Sequence, residues 1–332
     1  MPGDIVSFGE TMLRLTAPGD SRLETTPLLQ VHVAGSESNT LACLARLHVR
    51  VSWLSALPAT PMGRHVETEL RRHGIDTSEV IWSANMSRVG TFYAEEGSAP
   101  LGVQVYYDRA NSACALIDPE AVNYRVVDTA RMLHLTGITP AVSENARAVF
   151  RRFLAYARER QVPLSFDVNY RARLWSTQEA ARQLEDACRQ AHILFCARAD
   201  AAEIWGFTGT PEEILRQMAE HFKGTDTNKT LVLTLGSEGS AHLHNGEYVY
   251  APAIATEGNV RFGSGDAFAA GYLYASLNGP LYQEMQQAYD IGPLIFGNAL
   301  AALKRCIVGD IAVITPDDVR ALLQSQKGRR FR

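Results

Sequence analysis

Short runs of β-branched and apolar residues alternate along this chain with longer stretches whose apolar positions recur every three or four residues. Ile5-Val6-Ser7-Phe8 opens the pattern as a strand that ends at Gly9. Across residues 38–47 the apolar side chains fall at Leu41, Leu44, Ala45 and Leu47, the spacing of one helical face. A strand at 51–55 and a helix at 62–73, stopped before Gly74, come next. The rhythm then repeats as strand 132–135, helix 144–160, strand 164–167, helix 177–189, strand 192–196, helix 211–222 and strand 230–234. Strands that alternate with helices of this length predict an α/β domain with a mostly parallel sheet and helices on both faces.

Two segments, residues 11–34 and 88–110, break the rhythm. They hold strand-like pieces at 12–15, 30–33, 89–94 and 103–107 with no helix between them. Such insertions predict a small β-sheet on a single domain spanning residues 1–332. Placed as a lid, it would exclude water from a reaction beneath it. A surface hairpin with no catalytic duty fits the same pattern. The free edges of a small sheet invite pairing between protomers, so a homo-oligomer, a dimer or higher, is expected.

Composition narrows the class. Of 332 residues, 46% are hydrophobic and 20% charged, enough for a substantial core, and the net charge of −4 leaves no nucleic-acid or membrane-surface footprint. An anionic substrate would have to be held by local arginines. Cys43, Cys114, Cys188, Cys196 and Cys306 are scattered without a C-x-x-C pair, which fits free thiols in a reducing cytoplasm. The N-terminus lacks a basic leader, and no apolar run reaches the roughly 18 residues that span a bilayer, so a soluble, cytoplasmic protein is expected. The longest apolar stretch, 291–303, contains Pro293, Gly297 and Asn298 and reads as a core helix. The basic tail, residues 327–332, reads as a solvated end.

Five clusters carry candidate chemistry. In Gly263-Ser264-Gly265-Asp266 three small residues precede an aspartate and a helix-forming apolar run. Small residues let the backbone turn tightly, so amides at a helix start converge on one point and can bind an anion such as phosphate. Asp266 in that first turn could take a proton from an attacking hydroxyl, or merely interact with the helix dipole. The turn is not a dinucleotide fingerprint, since its third glycine would fall at Phe268, and no P-loop sequence occurs. Gly35-Ser36-Glu37-Ser38-Asn39 opens a helix; Gly35 would admit a ligand to the backbone and Asn39 could bond sugar hydroxyls, or Ser36 or Ser38 could simply cap the helix. Tyr107 and Arg109, alternate residues of a strand, would share a face and suit a carboxylate, unless they form a surface pair. Asn169 and Arg171 follow strand 164–167, where open parallel sheets bind ligands. Thr234-Leu235-Gly236-Ser237-Glu238-Gly239 offers a turn for nucleotide phosphate or ribose, or an ordinary β-turn. His242 and His244 lack a carboxylate partner and read as exposed strand histidines, so no metal ligands are expected there.

Together these residues resemble the ribokinase-like (phosphofructokinase-B-type) sugar kinases, from Gly9-Glu10 to about Thr315. Gly263-Ser264-Gly265-Asp266-Ala267-Phe268 is similar to that family's G-A-G-D-A-F signature, and Gly35 through Asn39 to its N-terminal one. The resemblance implies a three-layer α/β sandwich with a small β-sheet lid, ATP and Mg²⁺ as cofactors, Asp266 as catalytic base and an anion hole at Gly263, Ser264 and Gly265. Within the family the chain is most similar to the 2-keto-3-deoxygluconate kinases, through Tyr107-Asp108-Arg109 and the D-x-N-x-R segment Asp167, Asn169 and Arg171. That similarity implies phosphorylation of the terminal (6-) hydroxyl, with Gly35, Asn39, Phe92, Tyr107, Arg109 and Arg171 around the substrate. Asn169 and Arg171 would lie by the transferred phosphate. Thr234, Gly236, Ser237 and Gly239 would line the nucleotide, and Asn298 would sit by the adenine.

The chain also departs from the family pattern. Val260 replaces an aspartate tied to a monovalent-cation site, and Ala197-Arg198-Ala199-Asp200 replaces the N-x-x-E segment that organises Mg²⁺. Phe92 stands where the keto-deoxygluconate kinases carry a lid tyrosine, and Pro58-Ala59-Thr60 where Gly-Asp-Asp is usual. A kinase for another sugar such as fructose, and a non-catalytic sugar or nucleotide sensor, are the competing readings. A dehydrogenase is disfavoured because Glu10-Thr11-Met12, not a glycine-rich turn, follows the first strand.

Overall fold

Residues alternate between two cores along the strands of a central sheet, as the sequence pattern demands. The computed structural model describes residues 3–19, 21–84, 88–96, 102–224, 228–258, 260 and 262–326; the basic tail lies outside them. The first part of the chain forms β1 (Ile5–Phe8), β2 (Met12–Thr16), β3 (Gln30–Ala34), α1 (Ser36–Arg46), β4 (Val51–Leu54), β5 (Ala56–Pro58), α2 (Pro61–Arg72), β6 (Ile81–Ser83), β7 (Thr91–Glu96) and β8 (Val103–Asp108). The middle adds β9 (Met132–Thr136), α3 (Thr139–Val142), α4 (Glu144–Glu159), β10 (Leu164–Asp167), α5 (Thr177–Gln190), β11 (Ile193–Ala197), α6 (Arg198–Trp205) and α7 (Pro211–His221). The last part holds β12 (Thr230–Thr234), β13 (Gly239–His244), β14 (Glu247–Pro252), α8 (Ser264–Ser276), α9 (Pro280–Tyr289), α10 (Pro293–Arg305) and α11 (Pro316–Ser325).

The large sheet has the order β14-β13-β12-β11-β10-β9-β1-β4. From β4 to β12 every pairing is parallel, and β13 and β14 close one edge as an antiparallel hairpin. Ile193, Phe195 and Val232 point into one core with α1, α8 and α10, while Leu194, Leu231 and Leu233 point into the other with α4, α5 and α7. That two-fold alternation is the property of a strand buried on both faces. Helices α8 and α10 cross closely: a Cβ on Gly271 would come within 2.9 Å of the Gly297 Cα.

The two segments that broke the rhythm form a separate four-stranded sheet of order β3-β2-β7-β8. The strand expected at 89–94 is shifted two residues onward, because Arg88 makes an isolated bridge to Ser112 before the ladder begins. The histidine reading needs correcting: His242 is not an exposed residue but packs against Tyr272, its Nδ1 2.8 Å from the phenol oxygen. Among the described residues no helix is long and apolar enough to cross a membrane.

Helix starts divide by task. α2, α4, α5, α7 and α11 each begin at a Ser or Thr whose hydroxyl accepts an early backbone N–H. α1 and α8 begin instead at Gly35 and Gly263, with no side-chain cap.

Candidate active site

The turn before α8 can be made only by glycine. Gly263 has φ +75, and a Cβ there would stand 2.0 Å from the Asp310 carbonyl oxygen. This turn carries Asp266 to the start of α1. Ser36 Oγ donates to Asp266 Oδ1 at 2.7 Å, and Asn39 Nδ2 donates to Oδ2 at 2.8 Å. Asn169 Nδ2 in turn donates to Ser36 Oγ at 2.8 Å, so two segments distant in sequence fix the carboxylate carried by a third. Burial pushes the Asp266 carboxyl above its ordinary value, opposed by these hydrogen bonds and by the charges of Arg171 and Lys304.

Two cavities meet at Asp266, and a third adjoins the second of them. One of about 280 Å³, roofed by the small sheet, is lined by Gly35, Asn39, Phe92, Tyr107, Arg109, Arg171 and Asp266. Phe92 packs against Tyr107 and Phe262, with ring centroids 5.7 and 6.3 Å away. A second of about 340 Å³ is lined by Asp167, Asn169, Arg171, Asp200, Thr234, Gly263, Gly265 and Asp266. The third, about 410 Å³, is lined by Thr234, Gly236, Ser237, Gly239, Ser264, Gly265 and Asn298. Asp266, Gly263 and Arg171 are shared by the first two, and Thr234 and Gly265 by the last two. All lie at the carboxyl ends of the parallel strands, where β10 ends at Asp167 and β12 at Thr234. A larger depression of about 590 Å³ near Asp4, Tyr274 and Arg320 contains none of the expected site residues. Within it Asp4 pairs with Arg50, and Arg320 with Glu284 and Asp317.

Several expectations are corrected in detail. Arg109 is not on a strand but one residue past β8, where it turns inward and becomes buried. Its Nε donates to Glu10 Oε2 at 2.7 Å and its Nη2 to the same oxygen, while Ser112 Oγ donates to Glu10 Oε1. The arginine thus shares the first cavity with Tyr107 but already has a buried anionic partner. Asn298 lines the third cavity, yet its amide is engaged: Nδ2 donates to the Ala251 and Pro252 carbonyls, and Oδ1 accepts from Ser240. It ties α10 to the hairpin. Ser36 is not a helix cap, and Ser38 donates back to the Gly35 carbonyl instead of receiving an amide.

The acids around the second cavity repel one another. Asp167 is pushed up to about 8, by burial first and then by the charges of Asp266 and Asp200. Asp200 Oδ2 accepts the Tyr170 amide, and burial raises its carboxyl also. No three His, Cys, Asp or Glu side chains converge as a direct metal cage among the described residues. Hard carboxylates that crowd one wall without closing a cage fit a Mg²⁺ ion held largely through water and phosphate oxygens.

A model of the pfkB family carbohydrate kinases matches residues 3–316. The chain belongs to the pfkB family of carbohydrate kinases. Its ribokinase-like fold and its class of chemistry, phosphoryl transfer to a carbohydrate, follow from that membership. The 2-dehydro-3-deoxygalactonokinase of Haloferax volcanii is 36% identical to this kinase over 98% of each chain. The 2-dehydro-3-deoxygluconokinase of Bacillus subtilis is 28% identical over 98% of this chain and 96% of its own. The crystal structure of the 2-dehydro-3-deoxygluconokinase of Thermotoga maritima superposes with a TM-score of 0.87 at 27% identity, covering 96% of this chain and 98% of that one.

Glu10, Glu37, Lys304 and Asp310 were absent from the expected site. Glu37 is fully buried in the wall of the first cavity, where Thr136 and Thr139 donate to its Oε1 at 2.8 and 2.6 Å. The position of Glu37 beside Ser36 and Asn39 was the available signal. Lys304 and Asp310 lie in a segment, Leu303 to Asp310, that resembles the late segment of these kinases, but no residue role was drawn from it.

Proposed function

We propose that this kinase transfers the γ-phosphate of ATP to the terminal (6-) hydroxyl of 2-keto-3-deoxygluconate, with Asp266 as general base. The observation that carries the reading is the place of Asp266: its carboxylate stands in the wall between two cavities, beside the uncapped start of α8. A hydroxyl in the first cavity would give its proton to Asp266 as it attacks. The Ser36 and Asn39 hydrogen bonds hold the carboxylate still, so no reorientation is needed at that moment. Amides of the Gly263–Gly265 turn would stabilise the charge on the transferring phosphoryl oxygens. Arg171 lines both cavities and would follow the phosphoryl group. Mg²⁺, when bound, would neutralise phosphate charge on the Asp167 and Asp200 side. Thr234, Gly236, Ser237 and Gly239 would hold the nucleotide, with Asn298 shaping its pocket from behind.

Arg109 is the natural partner for a keto-acid carboxylate. Glu10 engages its Nε and Nη2, which orients the guanidinium and leaves the Nη1 edge for the substrate. The small sheet would act as the lid, closing Phe92 and Tyr107 over the sugar. The 36% identity to a kinase named for the galacto epimer favours 2-keto-3-deoxygalactonate as the second reading.

ATP consumption measured over both keto-deoxy acids and fructose tests the proposal. One of the keto acids should give the highest kcat/KM. An Arg109→Ala variant should lose roughly 2–5 kcal/mol of transition-state binding for the acid and little for a neutral sugar. Fructose as the best substrate, or an Arg109→Ala enzyme with unaltered kcat/KM, would remove the keto-acid assignment.

A further inference from the structure

Lys304 occupies the last turn of α10, and none of its surface reaches solvent. Its Nζ donates to the Ile307 carbonyl at 2.9 Å, which by itself would be an ordinary helix-end contact. Such a contact is available from the surface, where the ammonium keeps its water. Removing the ammonium from water altogether is far more costly than a helix-end contact returns, unless nearby negative charge compensates it.

What lies against Lys304 supplies the reason. Its Cε is 3.3 Å from where a Cβ on Gly263 would stand, directly behind the turn that precedes Asp266. The Asp310 carbonyl closes on the same glycine, and the Asp310 carboxylate pairs with buried Arg14 at 2.8 Å. Lys304 stabilises the ionised forms of both Asp266 and Asp310, with Arg171 aiding the first and Arg14 the second. Among the described residues, the charges acting here include the Asp266 and Asp310 carboxylates and the Lys304, Arg171 and Arg14 cations, arranged before any phosphate arrives.

We propose that Lys304 is a positioning residue for phosphoryl transfer, a fixed cation built in behind the Gly263–Asp266 turn that braces the turn and adds to the field its amides present to the phosphoryl group. The chain thereby carries its own monovalent cation at this point. The inference rests on the reading of that turn as the seat of phosphoryl transfer, so Asp266→Asn is assayed beside it. A fully active Asp266→Asn enzyme removes both ideas, whereas an inactive one leaves Lys304 to be judged alone.

Lys304→Met keeps the length of the side chain and deletes its charge; Lys304→Ala opens a space the size of a small cation. In both, kcat should fall by roughly 10- to 100-fold, less than the 10²–10³ typical of deleting a donor that touches the reacting group. KM for the sugar acid should stay within about two-fold, because that cavity is lined by other residues. Ammonium, methylammonium or potassium should restore part of the kcat of Lys304→Ala, and none should change that of the wild-type enzyme. A merely structural lysine would lower the unfolding midpoint and leave kcat of the folded fraction unmoved. A folded Lys304→Met enzyme with wild-type kcat overturns the proposal, as does a wild-type enzyme that needs an added monovalent cation.

Discussion

At the scale of single residues, buried carboxyl groups dominate the site. Glu37 is pushed up to about 7, chiefly by burial, with Thr136 and Thr139 pulling the other way. Its ordinary value is 4.5, so between pH 4.5 and about 7 the unfolded chain gives up this proton while the folded chain keeps it. Stability from this group is thus fully present below the lower value, falls as pH rises through the window, and is flat above it. The slope is about 1.4 kcal/mol per pH unit at most. Glu37→Gln, which stays neutral and can still accept from both threonines, should therefore gain on the wild type by a few kcal/mol between about pH 4.5 and pH 7. Urea unfolding at the two ends of that window checks it; a difference that does not change with pH would mean that Glu37 ionises in the fold.

Elements meet here through close backbone approach. The α8 start is aimed by Gly263, whose left-handed φ and contact with the Asp310 carbonyl leave no room for a side chain. An alanine costs about 1–2 kcal/mol for the left-handed conformation alone. The carbonyl contact adds to this, and the turn must move to relieve it. Gly263→Ala should lower the unfolding midpoint modestly and kcat by about two orders of magnitude, because displaced amides would no longer point at the proposed phosphoryl position. Steady-state kinetics set beside a thermal melt separates the two effects. Unchanged kcat in the folded variant would show that the turn does not serve the reaction.

For the whole molecule, the sequence disclosed the frame better than the wiring. Strands such as Ile5–Phe8 and Thr230–Thr234 were legible because a strand buried on both faces must be apolar throughout. The Gly263–Asp266 turn was legible because tight backbone geometry forces small residues into a short span. Phe92, Tyr107, Arg109, Arg171 and Asp266 were named separately, and the fold brings them to one cavity. The partners that tune them were hidden. Arg109 meets Glu10 across 99 positions, Ser36 meets Asp266 across 230, and Arg14 meets Asp310 across 296. No local pattern announces such pairs, because each is set by where the sheet order places the strand ends. Asn298 shows the converse: the family resemblance implied a place beside the adenine, and the fold uses its amide for the hairpin.

The central claim is that Asp266 accepts the proton of the hydroxyl being phosphorylated. Asp266→Asn keeps the size of the side chain and an oxygen that can still accept from Ser36 or Asn39, but it removes the base. Single-turnover transfer from ATP to the best substrate of the panel, measured with that variant saturated in both substrates, isolates the chemical step. The account predicts a loss of about 10²–10⁴ in rate with nucleotide affinity little changed. Transfer at the wild-type rate would contradict it.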